Sequence, residues 1–324
     1  MSASMKSKKT AIIIPVHPPK FPFLLDFYSG LNGCRTAANE VSYFFVFSSA
    51  ADKINFWRKA KTKVLSNRPS ETDIIIISLV APEWTQTASS ISQFSTIAVA
   101  KKFWAMAWLL DQHINAKYII ALDAETALTS CDVWQKSSLF QALQMKYEKH
   151  SWIASRKKNC PITMEIIIAS AATTTRDSSE IQTLYKKTKD WNLYPWWNDL
   201  PWYEVVSLSQ MFESWNDERS LSIPEEKSST FYQNIVEKYN PARNHYSFEH
   251  IVYQHYMVLH HDFIFIEKED INSSCDGSLL EDGFSTTTIH KLDWSPLWMP
   301  LQIKKIYKPK DGPEPFFIFH TDRQ

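Results

Sequence analysis

Four short apolar runs alternate with segments of helical periodicity, and this alternation limits the folds open to the chain. The runs are Ala11–Val16, Val41–Phe47, Asp73–Val80 and Tyr118–Leu122. β-Branched and aromatic residues dominate them, as they do in strands. The unbroken isoleucine run of the third suits a strand buried on both faces. Between the runs, Phe23–Leu31, Lys53–Leu65 and Ser90–His113 read as helices. In the longest of these, Ile91, Phe94, Ile97, Ala98, Lys101, Ala105, Trp108 and Leu109 recur at helical spacing. Such alternation predicts an α/β fold with a Rossmann-type, mostly parallel central sheet flanked by helices. Sheets of this kind bind ligands beyond the carboxyl ends of their strands. Three polar strand exits are predicted on that one edge: His17, Ser48–Asp52 and Asp123–Glu125. The first exit, Pro15-Val-His-Pro-Pro19, predicts a loop, because a residue that precedes proline avoids helical geometry.

The second half differs. Trp191-Asn-Leu-Tyr-Pro-Trp-Trp-Asn-Asp-Leu-Pro-Trp-Tyr203 is dense in aromatic rings and prolines, without clear periodicity. Asp132–His150, Val205–Trp215, Phe231–Tyr239 and Ser247–Leu259 read as helices. Trp152–Ser155, Glu165–Ala171 and Phe263–Ile266 read as strands. No internal repeat or low-complexity linker separates the halves. A length of 324 residues therefore suits one domain over residues 11–324, made of a first half (11–155) and an α-rich aromatic half (156–324). Residues 1–10 are expected to form a disordered tail.

Composition excludes several classes. Lys+Arg and Asp+Glu both number 35, so the chain lacks the basic excess of a nucleic-acid binder. Cys34, Cys131, Cys160 and Cys275 are far apart, which argues against a zinc ribbon or a disulfide framework. No apolar run approaches the ~18 residues of a membrane span, and Ala11–Val16 is too short for a signal core. A soluble cytoplasmic protein is the expectation. Glycine occurs only five times, and neither the dinucleotide fingerprint nor the P-loop is present. A bound nucleotide must then be held by side chains or a metal.

Asp123 and Glu125 carry the most pointed chemistry. Carboxylates at the end of an apolar strand need compensation. Residues i and i+2 of a strand share a side, so both carboxylates are expected to face one ligand. Oxygen ligands there suit a hard cation, Mn²⁺ or Mg²⁺. Such an ion stabilises the charge that develops on a departing diphosphate. The plainer alternative is a solvated turn with a helix N-cap.

Strand Ala11–Val16 with its polar exit, Tyr43-Phe-Phe-Val-Phe-Ser48, the helix carrying Lys101-Lys-Phe-Trp104 and Tyr118-Ile-Ile-Ala-Leu-Asp-Ala-Glu125 together resemble the nucleotide-sugar half of a GT-A-type glycosyltransferase. In that family a D-x-D motif ends the strand and binds a metal with the sugar-nucleotide diphosphate. Here the motif reads Asp123-Ala124-Glu125, and glutamate adds one methylene of reach. The resemblance implies a metal-dependent transferase. It would move a sugar from a nucleotide diphosphate sugar, first of all a UDP-sugar, to a hydroxyl of a glycan or glycoconjugate acceptor. It also implies that Pro15, Val16 and His17, with Ser48 and Asp52, bracket the base and ribose. Lys101 or Lys102 would reach a phosphate or ribose; a solvated helix edge is the alternative for at least one of them.

Family members often carry an acidic base or sugar ligand in the second half, which makes Asp199 and Glu204 candidates. A late histidine often completes the metal shell, which makes His320 a candidate. Trp196 and Trp197, beside Asp199, suit a sugar-stacking pocket, with a core crossover as the alternative. Ser247-Phe-Glu-His-Ile-Val-Tyr253 is similar to a late Glu-His segment of some glycosyltransferases, so Glu249 or His250 is a candidate base. A helix with a charged outer face is the alternative. Two other functions stand beside the transferase. One is a non-catalytic carbohydrate-binding protein on the same fold. The other is a sugar nucleotidyltransferase, although Pro-Val-His-Pro-Pro stands where such enzymes usually have a glycine-rich loop.

Overall fold

The computed structural model describes residues 10–31, 41–64, 75–87, 97–124, 127–128, 151–161, 177–188, 192–194, 202–214, 249–267 and 318–319. The strands are β1 (Thr10–Val16), β2 (Val41–Phe47), β3 (Ile75–Val80), β4 (Tyr118–Ala121), β5 (Ala127–Leu128), β6 (Ser151–Pro161), β7 (Asn192–Tyr194), β8 (Trp202–Glu204), β9 (Ile264–Glu267) and β10 (Ile318–Phe319). The helices are α1 (Phe21–Leu31), α2 (Ala50–Val64), α3 (Trp84–Thr87), α4 (Ile97–Asp111), α5 (Ser178–Thr188), α6 (Val205–Ser214) and α7 (Glu249–His260).

The expected α/β architecture is present. A five-stranded sheet has the order β3-β2-β1-β4-β8. Its first four strands are parallel, and β8 pairs antiparallel with β4. Every residue of β1, β2 and β4 is buried, which is why these runs are apolar throughout rather than alternating. The chain lays down β1, β2 and β3 in one direction, then returns through α4 to place β4 on the other side of β1. The strand order thus reverses between β1 and β4, and open α/β sheets bind ligands in the crevice above such a reversal.

Aromatic packing fixes α1 and α2 against the sheet. The Phe56 ring meets Phe21, Phe45, Phe47 and Trp57 at centroid distances of 5.5, 5.9, 5.5 and 5.2 Å. Trp57 Nε1 donates to Ser78 Oγ at 2.9 Å, tying α2 to β3. Helix α4 is buried along Val99–Ala107 and at Leu109. A helix that is apolar on nearly every side must be covered on nearly every side. The sheet covers one flank, and α6 packs on another through the Phe103–Phe212 edge contact at 6.5 Å.

Three local details differ from expectation. The first strand exit is a single residue, not a loop: His17 precedes a 3₁₀ turn at Pro18–Lys20 that runs into α1. His17 itself is extended, with φ −143° and ψ 158°, so the restriction imposed by proline stops there. Proline then suits the first helical turn, where its missing N–H has no intrahelical partner to lose. Helix α2 starts at Ala50 rather than Lys53, because Ser49 Oγ accepts the Asp52 N–H at 3.0 Å as an N-cap. Strand β4 ends at Ala121, so Asp123 lies beyond the strand rather than on its pleat.

In the second half, β6 spans the expected strand at 152–155 and pairs parallel with β9. Helices α6 and α7 match the expected 205–215 and 247–259 to within two residues at each end. The expected elements at 132–150, 165–171 and 231–239 lie outside the described residues. Among the described residues, no helix is long and apolar enough to cross a membrane.

Helix α7 buries His255 completely, and burial pushes its pKa from 6.5 to about 3. Between those values the unfolded chain binds a proton that the folded chain refuses. Stability therefore falls as pH falls from about 6.5 towards 3. His255→Met is expected to flatten the dependence of Tm on pH within that window. Equal slopes for the two proteins would refute this role.

Candidate functional site

Helix α4 delivers two consecutive lysines to the β1/β4 reversal. Neighbouring helical residues point about 100° apart, so each lysine serves one strand end. Lys101 Nζ donates to the Val16 carbonyl at the end of β1. Lys102 Nζ lies 2.7 Å from Asp123 Oδ1, just past β4. The same ammonium lies 2.8 Å from Glu249 Oε1, at the first residue of α7. Lys101 and Lys102 are 1% and 5% exposed, so neither stands on a solvated helix edge. Helical spacing places Lys101 on the apolar stripe, in keeping with its burial, whereas the burial of Lys102 has no such signal, since a polar residue on an apolar helix is ordinarily placed facing water.

The two lysines have opposite electrostatic settings. Burial pulls Lys101 down to about 8, and the attraction of Asp52 only partly opposes it. His17 is likewise pushed below its ordinary value, first by burial, then by Lys101 and Lys20, against the pull of Asp52. His17, Asp52 and Lys101 thus form one interacting group, and two of the three predicted strand exits do meet. Burial alone would discharge Lys102, but Asp123 and then Glu249 outweigh it and hold the ammonium above its ordinary range. Burial alone would protonate Glu249, but Lys102 and then His250 outweigh it and hold the carboxyl below its ordinary value. The Tyr203 hydroxyl is kept neutral by burial, reinforced by Glu249, Tyr253 and Asp123.

Two carboxylates share the one ammonium, and His250 Nδ1 lies 3.9 Å from Glu249 Oε1. The Glu249 side chain is 0% exposed and that of Asp123 is 32% exposed. Asp123 is therefore the carboxylate of this group that solvent reaches. A partly exposed carboxylate just past a strand end fits one position of a hard-cation site, since Mg²⁺ needs only one or two carboxylates beside phosphate oxygens. Among the described residues, no group of three or more His, Cys, Asp or Glu is gathered for a metal.

The other predicted residues fall as follows. Pro15 and Val16 end β1, and Ser48 follows β2, its carbonyl accepting from Gln86 Nε2 at 2.7 Å. Ala124 is buried beside Asp123. Glu249 and His250 are 0% and 6% exposed, so the beginning of α7 is inside the protein and not a charged outer face. Glu204 pairs with Tyr118 at the opposite end of β4 from Asp123, roughly 16 Å away along the strand. There Glu204 Oε2 accepts the Ser207 hydroxyl at 2.7 Å at the start of α6. Glu125, Trp196, Trp197, Asp199 and His320 lie outside the described residues. Strand β10, which directly precedes His320 in sequence, pairs antiparallel with β5, which follows Glu125 closely.

Comparison with protein-family models and with curated proteins finds no match. Among solved structures, the chain is similar to mouse xyloside xylosyltransferase 1 in its apo form, at 11% identity, 97% coverage of both chains and a TM-score of 0.40. It is similar to the mannosyltransferase Ktr4p of S. cerevisiae at 11% identity and a TM-score of 0.34, covering 71% of this chain and 62% of that one. It is also similar to residues 1–349 of S. aureus TarS in complex with UDP-GlcNAc, at 11% identity and a TM-score of 0.30, covering 70% of this chain and 54% of that one.

Proposed function

We propose that the chain is a GT-A-like glycosyltransferase that moves a sugar from a nucleotide diphosphate sugar to a hydroxyl acceptor. One observation carries this reading: two buried lysines straddle the reversal of a parallel sheet, one at each strand end, and Lys102 holds the partly exposed carboxylate of Asp123 just past β4. The crevice above such a reversal is a nucleotide site in open α/β sheets, and the chain has no glycine loop to hold phosphate by its backbone.

In this reading Pro15, Val16, His17, Ser48 and Asp52 line the base and ribose side. Asp123 faces the diphosphate, and Lys102 holds that carboxylate in place. A bound Mn²⁺ or Mg²⁺ would neutralise charge on the departing diphosphate. Asp123 would be one of its ligands, with Glu125 and His320 as further candidates. The β5–β10 pairing supports that set, because it ties the chain just before His320 to the chain just after Glu125. During transfer the bond from the sugar to the diphosphate oxygen breaks and a bond to the acceptor oxygen forms. The acceptor proton passes to a base, for which Asp199 is the candidate, with Trp196 and Trp197 on the acceptor side. Glu249 has no solvent access, which weighs against it as that base.

A thermal-shift panel of nucleotide sugars, each with and without Mn²⁺, tests the proposal. A ligand at a hundred times its Kd stabilises the fold by about 2.7 kcal/mol. At least one member is expected to raise Tm, and more so with Mn²⁺. No shift with any member would favour a non-catalytic protein on the same fold.

A further inference from the structure

We infer that Glu249 is a positioning residue for Asp123, acting through the Lys102 ammonium. The inference rests on the nucleotide-sugar reading of Asp123 given above. Lys102 Nζ touches both carboxylates, at 2.7 and 2.8 Å. An ammonium on a four-carbon stem is flexible, and one held at a single point would be freer to move. Two-point attachment fixes the ammonium between β4 and α7, and so fixes the oxygen of Asp123 that it holds.

The burial of Glu249 argues against a merely stabilising role. Among the described residues, its Oε2 and the nearby Tyr203 hydroxyl have no hydrogen-bond partner, although both groups are fully buried. Burying a half-satisfied carboxylate is expensive, and apolar replacements of buried ion pairs are often equally stable. What Glu249 supplies that an apolar residue would not is charge. It shares the ammonium, so Lys102 offsets less of the charge on Asp123, which keeps more of its pull on a cation or phosphate-bound metal. Supporting groups of this kind typically change affinity or activity by roughly ten- to a hundred-fold when altered.

The test is a double-mutant cycle on nucleotide affinity in the full chain. The probe is whichever of UDP, GDP, ADP and CDP binds the wild-type protein most tightly in the presence of Mn²⁺, measured by calorimetry with Tm recorded alongside. Glu249→Gln keeps size and removes charge. It is expected to weaken the probe by roughly ten-fold or more. Asp123→Asn is expected to weaken it further, and the double variant to bind no worse than Asp123→Asn alone, since Glu249 acts only through Asp123. If the two effects multiply, or if Glu249→Gln lowers Tm and leaves affinity unchanged, the positioning role is overturned while the nucleotide site stands. If no probe binds, or Asp123→Asn binds as wild type, the site reading itself fails and takes this inference with it. Should Glu249→Gln fail to fold, Glu249→Asp replaces it: it withdraws the carboxylate from Lys102 by one methylene, so a smaller loss of affinity is expected that again vanishes when Asp123→Asn is present, and an unchanged affinity overturns the role.

Discussion

Asp123→Ala is expected to abolish sugar transfer and metal-dependent nucleotide binding while the protein stays folded. The loss in transfer rate should reach roughly a thousand-fold or more, at the upper end for removal of a group that meets developing charge. The fold survives because the charges rebalance. Without Asp123, the Lys102 ammonium still has Glu249 at 2.8 Å, so one buried cation faces one buried anion. Asp123 is also the more exposed of the two carboxylates, with 32% of its side chain open to solvent, and its removal opens no cavity in the core. The loss of stability should stay well below that of removing Lys102, because the ammonium keeps one carboxylate partner. Transfer assays, nucleotide titrations with Mn²⁺ and a thermal melt check the three parts together. Full activity with full nucleotide affinity in the variant would sink the assignment of the site.

The sheet was legible in the sequence because β1, β2 and β4 are buried throughout, whereas β3, expected to be buried on both faces, ends the strand order with Ile76 and Ile77 half-buried and Val80 exposed. Continuous apolar runs such as Ala11–Val16 and Val41–Phe47 leave little else to form, and helical spacing in 90–113 identified the crossover α4. The short antiparallel strand β8 was not legible. Trp202–Glu204 is three residues long, too short for a pattern, and its place beside β4 is decided by tertiary packing. Only that pairing reveals that Glu204 sits at the other end of β4 from Asp123. The site was legible in its strand exits and hidden in its charges. His17, Asp52 and Asp123 could be placed on one edge from alternation alone. The burial of Lys102 and Glu249 could not, because a charged residue is ordinarily solvated unless a partner far along the chain is known; only Lys101 was set on the apolar stripe by helical spacing. Lys102 and Glu249 are 147 positions apart, and no local pattern couples them. The start of α2 shows the same limit at small scale: Ser48-Ser-Ala-Ala-Asp52 announced a cap, but the cap bond from Asp52 N–H to Ser49 Oγ placed Asp52 inside the helix.

Lys102→Met is expected to destabilise the fold severely, by about 3–5 kcal/mol, the usual consequence of removing one member of a buried ion pair. Methionine matches the stem in length and apolar character, so packing changes little and the loss is electrostatic. Glu249 is left fully buried with no ammonium, Oε2 already has no hydrogen bond among the described residues, and what remains beside it is the neutral Tyr203 hydroxyl and His250, whose Nδ1 lies 3.9 Å from Oε1. Burial would then dominate and protonate Glu249, at a cost drawn from folding stability. The same reasoning predicts rescue. Lys102→Met combined with Glu249→Gln removes both charges, so most of the lost stability should return, as measured by denaturant unfolding through a double-mutant cycle. Nucleotide affinity should not return with it, because Asp123 has lost the ammonium that fixes its position. Rescue of folding without rescue of binding separates the two roles of Lys102, as counter-charge for α7 and as holder of Asp123. A single variant as stable as wild type, or a double variant no more stable than the single, would show that the buried pair does not carry the charge balance proposed for it.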